Sequence, residues 1–165
     1  MGATERPMRR NECEVTDTEV IGRILGRATL CRVAMVDEND PYVVPMNCGW
    51  DGEHLLLHAA VQGRKLDILR ANPHVCVEVE EDVQIVTGAT GEDCTATYVT
   101  VIGTGTVTFI VDPQTKTRDL NVILLQCHPG IPEEVFPDEA LSRVVVLEVH
   151  FDHLTCKAKE TTPRP

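Results

Sequence analysis

Basic side chains are scarce in this chain. Lys and Arg number 15 against 26 Asp and Glu in 165 residues, a formal net charge of −11 with histidine neutral. Nucleic-acid binders displace counterions with clustered Lys and Arg, and a surface this acidic repels phosphate backbones. Generic DNA or RNA binding is excluded on that ground. Long apolar runs are missing as well: none approaches the roughly 18–20 residues of a membrane-spanning helix. Met1 to Glu14 is polar and mixed in charge, unlike a secretory signal. The seven cysteines (Cys13, Cys31, Cys48, Cys76, Cys94, Cys127, Cys156) are odd in number and scattered, with no C-x-x-C pair. Zinc knuckles and redox dithiols need ligands close in sequence, so neither they nor a disulfide framework is indicated. In apolar runs such as Val75-Cys76-Val77, reduced cysteine acts as a small hydrophobe in a reducing compartment. Also absent are G-x-S-x-G, a P-loop and H-E-x-x-H, and Gly103-Thr-Gly105 lacks the third glycine and following helix of a dinucleotide fingerprint. With 42% hydrophobic and 25% charged residues and no internal repeat, the expectation is one soluble, cytoplasmic domain over residues 1–165.

Along the chain, Asp17 reads as an N-cap, with Val20, Ile21, Ile24, Leu25 and Ala28 on one helical face and Gly26 as the stop. Strands are expected over 28–37, 42–50 and 54–60, joined by the polar turn at 37–41 and the Asp51-Gly52 hairpin signal. Pro45 marks an edge or a bulge, because proline cannot donate to a ladder. A short helix over 62–71 ends at Asn72-Pro73, and Val75, Val77 and Val79 alternate with polar partners. A long strand follows a loop at 87–92. Val99, Val101, Gly103, Gly105, Val107, Phe109 and Val111 share one of its faces, and paired glycines there suit a tightly curved sheet. Asp112-Pro113 opens a helix with Leu120, Ile123, Leu124 and Cys127 as its apolar stripe. After a proline-rich connection, 144–151 is the last strand. Six short strands with hairpin-length links and glycine-assisted curvature favour a closed or partly closed antiparallel barrel over an open sheet.

The stretch from Leu55 to Leu69 is the most informative chemically. An apolar strand ends in Ala59 and Ala60, passes Gly63, and enters a helix with Arg64 and Lys65 in its first turn. Cations usually avoid a helix N-terminus, where the macrodipole is already positive. Two of them there, with free backbone N–H groups, suit a phosphate monoester; the plain alternative is a solvated pair of surface charges. Tyr42 to Asn47 offers a second clue. Backbone groups left unpaired near Pro45, with the Asn47 amide, could hydrogen-bond a planar heterocycle, the alternative being an ordinary edge strand. His54 and His58 stand about 13 Å apart if the segment is extended, too far to share a metal, and no metal site is indicated. His58 abuts the proposed anion site; its plain reading is a half-buried strand histidine. No residue is singled out as a catalytic acid, base or nucleophile.

These segments together resemble the pyridoxamine 5′-phosphate oxidase-like flavoproteins, and within them the 5-nitroimidazole-resistance (Nim-type) branch. The resemblance is carried by Met8-Arg-Arg10, the helix after Asp17, Pro41-Tyr-Val-Val-Pro-Met-Asn47, His58-Ala-Ala60 and Gly63-Arg-Lys-Leu-Asp67. It continues through Tyr98-Val-Thr-Val-Ile-Gly103, the Asp112-Pro113 helix with Lys116, and His153-Leu-Thr-Cys-Lys157, covering roughly residues 8–159. It implies a mainly β fold, a six-stranded antiparallel split β-barrel with a few peripheral helices, which dimerises and holds FMN at the subunit interface. Arg64 and Lys65 would grip the FMN phosphate, His58, Ala59, Ala60 and Gly63 would line the ribityl chain and phosphate, and Val44, Pro45, Met46 and Asn47 would run along the isoalloxazine. Tyr98 and Thr100 would approach from the partner subunit. The implied activity is FMN-dependent reduction of a small nitro compound such as a nitroimidazole. The alternative is a flavin- or haem-binding carrier or sensor, with His58, His128 or His150 as axial ligand. Thr100 stands where serine is common in the family and Cys156 where glycine is common, and the loop 82–94 matches poorly.

Overall fold

Asp17 caps its helix as its position predicts: the carboxylate accepts from the backbone N–H of Glu19 at 2.9 Å and of Val20 at 3.3 Å. The computed structural model describes residues 8–159. A single 3-10 turn (Asn11–Cys13) leads into a two-residue strand β1 (Glu14–Val15) and helix α1 (Thr18–Leu25). Ile21, Ile24 and Leu25 of α1 face the core. Strands β2 (Leu30–Asp37), β3 (Asp40–Trp50) and β4 (Leu55–Ala60) follow, then helix α2 (Arg64–Ala71). Strands β5 (His74–Val86) and β6 (Thr95–Ile110), helices α3 (Pro113–Cys127) and α4 (Asp138–Ser142), and strand β7 (Val144–Lys159) complete the order.

The seven strands are antiparallel neighbours in the order β1-β7-β4-β3-β2-β5-β6, and β6 also pairs with β7, which closes the ring. The six long strands are those of the expected split barrel, and β1 adds a two-residue rung beside Cys156 and Lys157. Alternation decides what goes inside. Cys31, Val33 and Met35 of β2, Leu55 and Leu57 of β4, Val75, Val77 and Val79 of β5, and Leu147 and Val149 of β7 are buried. Among the described residues no helix is long and apolar enough to cross a membrane.

Closure makes demands on two glycines. A Cβ at Gly105 would lie 2.1 Å from the His150 carbonyl oxygen, and one at Gly103 would lie 2.5 Å from the Phe151 ring. The β6–β7 register shifts between Thr104 and Gly105, the irregularity that lets the strand turn the corner. The apolar face of β6 therefore runs from Val99 through Val107 to Phe109. Val111 does not share it: the strand ends at Ile110 and Val111 is 84% exposed, because the chain is already turning into the Asp112 cap of α3.

Both β5 and β6 outrun the expected spans, pairing from Val86↔Thr95 to His74↔Thr106. β7 likewise runs to Lys159 rather than ending near Phe151, because β6 and β1 give its second half partners. Pro45 sits at an edge and not at a bulge. The β2–β3 ladder is unbroken from Leu30↔Asn47 to Asp37↔Asp40, and β4 joins β3 only over Cys48 to Trp50. Residues 40–47 thus have one neighbouring strand.

Helix α3 covers the outer face of β3, β4 and β7. It comes so close that a Cβ on Gly49 would meet the Ile123 backbone at 2.9 Å. Gln126 ties it down, its amide N–H groups donating to the Leu25 and Ala28 carbonyls while its carbonyl accepts from Trp50 N. Asn121 fastens the proline-rich connection, exchanging hydrogen bonds with the Glu134 backbone at 2.8 and 2.9 Å. The expected apolar stripe of α3 is only partly a core face. Ile123 is buried, but Leu120, Leu124 and Cys127 are half-buried and line a cavity, while Asp119 and Asn121 are the buried polar positions.

Asp119 is completely buried. Its Oδ1 accepts from the Arg118 guanidinium at 2.7 Å, the same guanidinium reaches Glu148 Oε1 at 3.0 Å, and Asp119 Oδ2 has no partner. Burial pushes the Asp119 carboxyl above its ordinary range, with Arg118 pulling the other way and Glu148 and Asp51 adding to the rise.

Two outcomes follow from these contacts. Gly105→Ala should lower the unfolding free energy by about 2 kcal/mol or more, since the methyl must displace backbone; a denaturant midpoint unchanged from wild type would contradict the closure argument. A raised Asp119 pKa means the folded state keeps a proton that the unfolded chain releases. The stability this carboxyl contributes is full in acid and is lost as pH rises through the folded value. Asp119→Asn should therefore gain stability relative to wild type between pH 4 and pH 8, read as a growing difference in urea midpoint.

Candidate functional site

The segment that carries the anion argument lies where β4 runs out. Ala60 is the last residue of β4, Val61 and Gln62 turn in solvent, and Gly63 caps α2 at φ +140°, a conformation L side chains rarely adopt. No side chain caps this helix, and the Gly63 carbonyl accepts from Leu66 and Asp67, so the amides of Arg64 and Lys65 are the first-turn donors left over. The dipole, two backbone donors and two cationic side chains belong to one helix start in a chain of net charge −11.

Arg64 is already held. Its Nε and Nη2 lie 2.9 Å from Asp37 Oδ2, and its guanidinium carbon stacks 4.6 Å above the centre of the Tyr42 ring. Asp37 closes β2 and Tyr42 is the third residue of β3, so the hairpin that joins them braces the α2 N-terminus. Neither was singled out from the sequence. Tyr42 lay inside a quoted motif, and the polar turn beginning at Asp37 gave no sign that it faced Arg64 across 27 residues. Lys65 is half-buried next door. Burial, and then the nearby Lys65 charge, hold the His58 imidazole below its ordinary range, which favours the neutral ring.

The two predicted strand segments separate by face. Val44, Met46 and Ala59 point inward, Met46 and Ala59 being buried in the core and Val44 packed against it. Pro45, Asn47, His58 and Ala60 lie on the outer face. For Val44 and Met46, then, only backbone is offered outside. Asn47 spends its Nδ2 on the Thr29 carbonyl at 3.0 Å, which leaves its side-chain oxygen as an acceptor. Asn47 and His58 form one wall of a cavity of about 200 Å³ under α3, with Leu124, Cys127, His128 and Phe136 opposite. His58 thus stands between an apolar cavity on one side and the Arg64–Lys65 cations on the other.

Tyr98 and Thr100 are elsewhere in the protomer. Thr100 pairs with Lys157 and Tyr98 with Lys159, whereas His58 pairs with Val146 on the same strand β7. Eleven residues of strand separate Lys157 from Val146, about 35 Å along β7. Sequence reasoning also missed the edge-on contact of His54 with His150, ring centroids 4.3 Å apart, beside Glu148. All seven cysteines are free thiols; Cys31, Cys48 and Cys156 are buried, and a Cys48 hydrogen bond together with burial pushes the Cys31 thiol far up. Among the described residues no group of three or more His, Cys, Asp and Glu side chains could hold a metal ion.

Comparison with known proteins fits this architecture. The fold is similar to that of a candidate 5-nitroimidazole antibiotic resistance protein from Bacteroides thetaiotaomicron, with 29% identity and a TM-score of 0.77 over 87% of this chain and 85% of that one. It is also similar to a flavocytochrome from Azotobacter vinelandii (19% identity, TM-score 0.84, 99% and 77% covered). An FAD- and haem-binding protein from Mycobacterium smegmatis is similar too (20% identity, TM-score 0.81, 92% and 76% covered). The last two likenesses show the fold alone. No curated protein matches significantly in sequence. The family described as pyridoxamine 5′-phosphate oxidase matches residues 17–158, nearly the whole of the described barrel, and the chain belongs to that family of flavin-binding split barrels.

Proposed function

We propose that this protein is an FMN-dependent oxidoreductase that reduces a small nitro-aromatic or similar acceptor. The observation that carries the reading is the glycine-capped start of α2, where Arg64, Lys65 and two free backbone amides stand at the end of the outer face that bears Asn47 and His58. These residues fit a phosphorylated planar cofactor. Arg64 and Lys65 would take the phosphate, the backbone from His58 to Ala60 would line the chain, and Pro45 to Asn47 would edge the ring system. A bound flavin supplies the two-electron chemistry.

What the chain itself contributes is binding, orientation and exclusion of water. Asp37 and Tyr42 hold the Arg64 side chain against the β2–β3 hairpin, so less freedom is lost when the anion arrives. The neutral His58 ring adds no second positive charge at the cavity wall and can donate or accept one hydrogen bond. The acceptor oxygen of Asn47 faces a donor on a heterocycle. The apolar side chains Leu120, Ile123, Leu124 and Phe136 offer the cavity an apolar wall that matches a small aromatic ring.

The reading includes a homodimer with the cofactor at the subunit interface. Leu30, Val36 and Val43 are 48%, 48% and 60% exposed on the outer faces of β2 and β3. An apolar strip of this kind on an otherwise acidic surface suits a second copy of the chain. Tyr98 and Thr100 meet a flavin only if that copy supplies them. Free thiols throughout accord with a cytoplasmic setting. A haem-binding reading is favoured by one observation, the two histidines His58 and His128 lining one cavity. An absorption spectrum separates the two: a flavin band near about 450 nm against a sharp Soret band near about 400 nm.

Replacing Arg64 and Lys65 together by Ala should abolish FMN retention with the circular dichroism unchanged. Each lost charge-assisted contact is worth about 1.5–3 kcal/mol, and equal FMN affinity in the double variant would overturn the phosphate assignment. Val43→Asp should shift the protein from dimer to monomer in sedimentation velocity and weaken FMN binding in parallel. A dimer that survives Val43→Asp would remove the β2–β3 face from the interface.

A further inference from the structure

The cavity beside His58 is small. Its volume of about 200 Å³ lies below the range of about 300–1,000 Å³ of sites for drug-sized molecules. An apolar cavity of about 150 Å³ already takes a benzene ring, so this one has room for a single ring with small substituents. The three fused rings of a flavin exceed it, which leaves the cavity itself to the acceptor.

Most of the wall is fixed by the barrel and by α3. His58 pairs with Val146 of β7, and Asn47 pairs with Leu30 of β2 while its Nδ2 donates to the Thr29 carbonyl. Leu120, Leu124 and Cys127 ride on α3, whose backbone at Ile123 would lie 2.9 Å from a Cβ on Gly49. His128 caps the same helix, its N–H donating to the Leu124 carbonyl at 2.8 Å. Among the described residues that line the cavity, Phe136 alone is carried by neither a barrel strand nor α3 and its cap.

Phe136 is nevertheless held in place, from both sides. Two residues before it, the Glu134 N–H donates to Asn121 Oδ1 at 2.8 Å and the Glu134 carbonyl accepts from Asn121 Nδ2 at 2.9 Å. One residue after it, Pro137 caps α4, its carbonyl accepting from Ala140 and Leu141. That helix is anchored in turn. Leu141 is buried, and Lys116 Nζ donates to the Leu141 and Val144 carbonyls at 3.3 and 3.1 Å. Val135, between the clamp and Phe136, is 93% exposed, so burial of this neighbour does not position the ring. Asn121 itself is buried. Burying an amide is costly unless its hydrogen bonds are made. Here one goes to the Thr117 carbonyl and two go to the loop that carries Phe136.

We infer that Phe136 is the specificity-determining residue of this cavity: clamped through Asn121, its ring admits one aromatic ring beside His58 and excludes fused two-ring compounds. The inference rests on the reading that the cavity receives the acceptor. Asn121 acts through Phe136 and is a positioning residue.

The probes are 4-nitroimidazole and 5-nitrobenzimidazole, which share an azole N–H and a nitro group and differ by one fused ring. The full-length protein, with and without added FMN, is titrated with each while the His58 and Leu124 amide shifts are followed by NMR. Wild type should bind the single ring about tenfold more tightly than the fused pair, or better. Phe136→Ala, which frees about 100 Å³, should bring that ratio close to one by tightening the larger compound. Asn121→Ala should lower the ratio with circular dichroism unchanged; should it not fold, Phe136→Ala decides alone. FMN retention is measured on the same proteins, and Phe136→Ala should keep it. A ratio near one in wild type, or one that Phe136→Ala leaves unchanged, overturns the inference even where FMN is retained. So does the lack of a saturable shift with either compound at millimolar concentration. A ratio that falls as expected in a protein that binds no FMN supports the role of Phe136 and sinks only the flavin reading.

Discussion

The pairing of β6 with β7 is the constraint on which the rest of this structure depends. It turns a sheet with two edges into a ring, and it is possible only because Gly103 and Gly105 carry no Cβ where the Phe151 ring and the His150 carbonyl come closest. Closure encloses Val33, Leu57, Val77 and Leu147 on the inside, where their alternation with polar neighbours becomes burial. It also makes the outside a curved surface with two different uses. One part is covered by α3; another, along β2 and β3, is left with Leu30, Val36 and Val43 in solvent.

The site residues inherit their places from that geometry. Because β3 leaves β2 at Asn47 and joins β4 at Cys48, Asn47 and His58 come side by side at the mouth of a cavity roofed by α3. Because β4 ends at Ala60, the glycine that follows can reverse the chain and aim the α2 N-terminus outward. Charge is then managed in two environments. The Arg64–Asp37 pair is half in water and is worth no more than about 1 kcal/mol by itself, so its role is to hold a cation in position. The Arg118, Asp119 and Glu148 cluster joins α3 to β7: Asp119 is buried, the Arg118 guanidinium that reaches both carboxyls is half in water, and the link serves to seat the helix.

Local signals in the sequence were read well where the physics is local. Asp17 and Asp112 cap helices because a short carboxylate reaches the next amides whatever the rest of the chain does. Gly63 before Arg64 and Lys65 announced an uncapped, cationic helix start, and the structure places it there. The apolar stripe Leu120, Ile123, Leu124 and Cys127 was visible as a stripe, but its partner was not. Periodicity reports that a face is apolar and not whether protein or a cavity lies opposite. The buried Asp119 ran against the pattern altogether, and nothing within α3 itself indicates that Arg118 and Glu148 share its charge. Asp37 and Tyr42 were missed as supports of Arg64 for the same reason, since a contact across 27 residues leaves no trace in local spacing.

From sequence alone came the alternation that makes β2 to β7 strands, the caps and glycines that start and stop the helices, and the resemblance that named the barrel and the cations at Arg64 and Lys65. These depend on interactions within a few residues or on the order of motifs, which the chain carries with it before it folds. Only the tertiary structure decided which outer face stays bare, where β3 changes partner, that Val44 and Met46 turn inward while Pro45 and Asn47 turn out, and that Thr100 and Tyr98 lie about 35 and 43 Å along β7 from His58. Those are matters of register and closure, and a strand's register is set by pairing with segments distant in the chain, not by the residues of the strand itself.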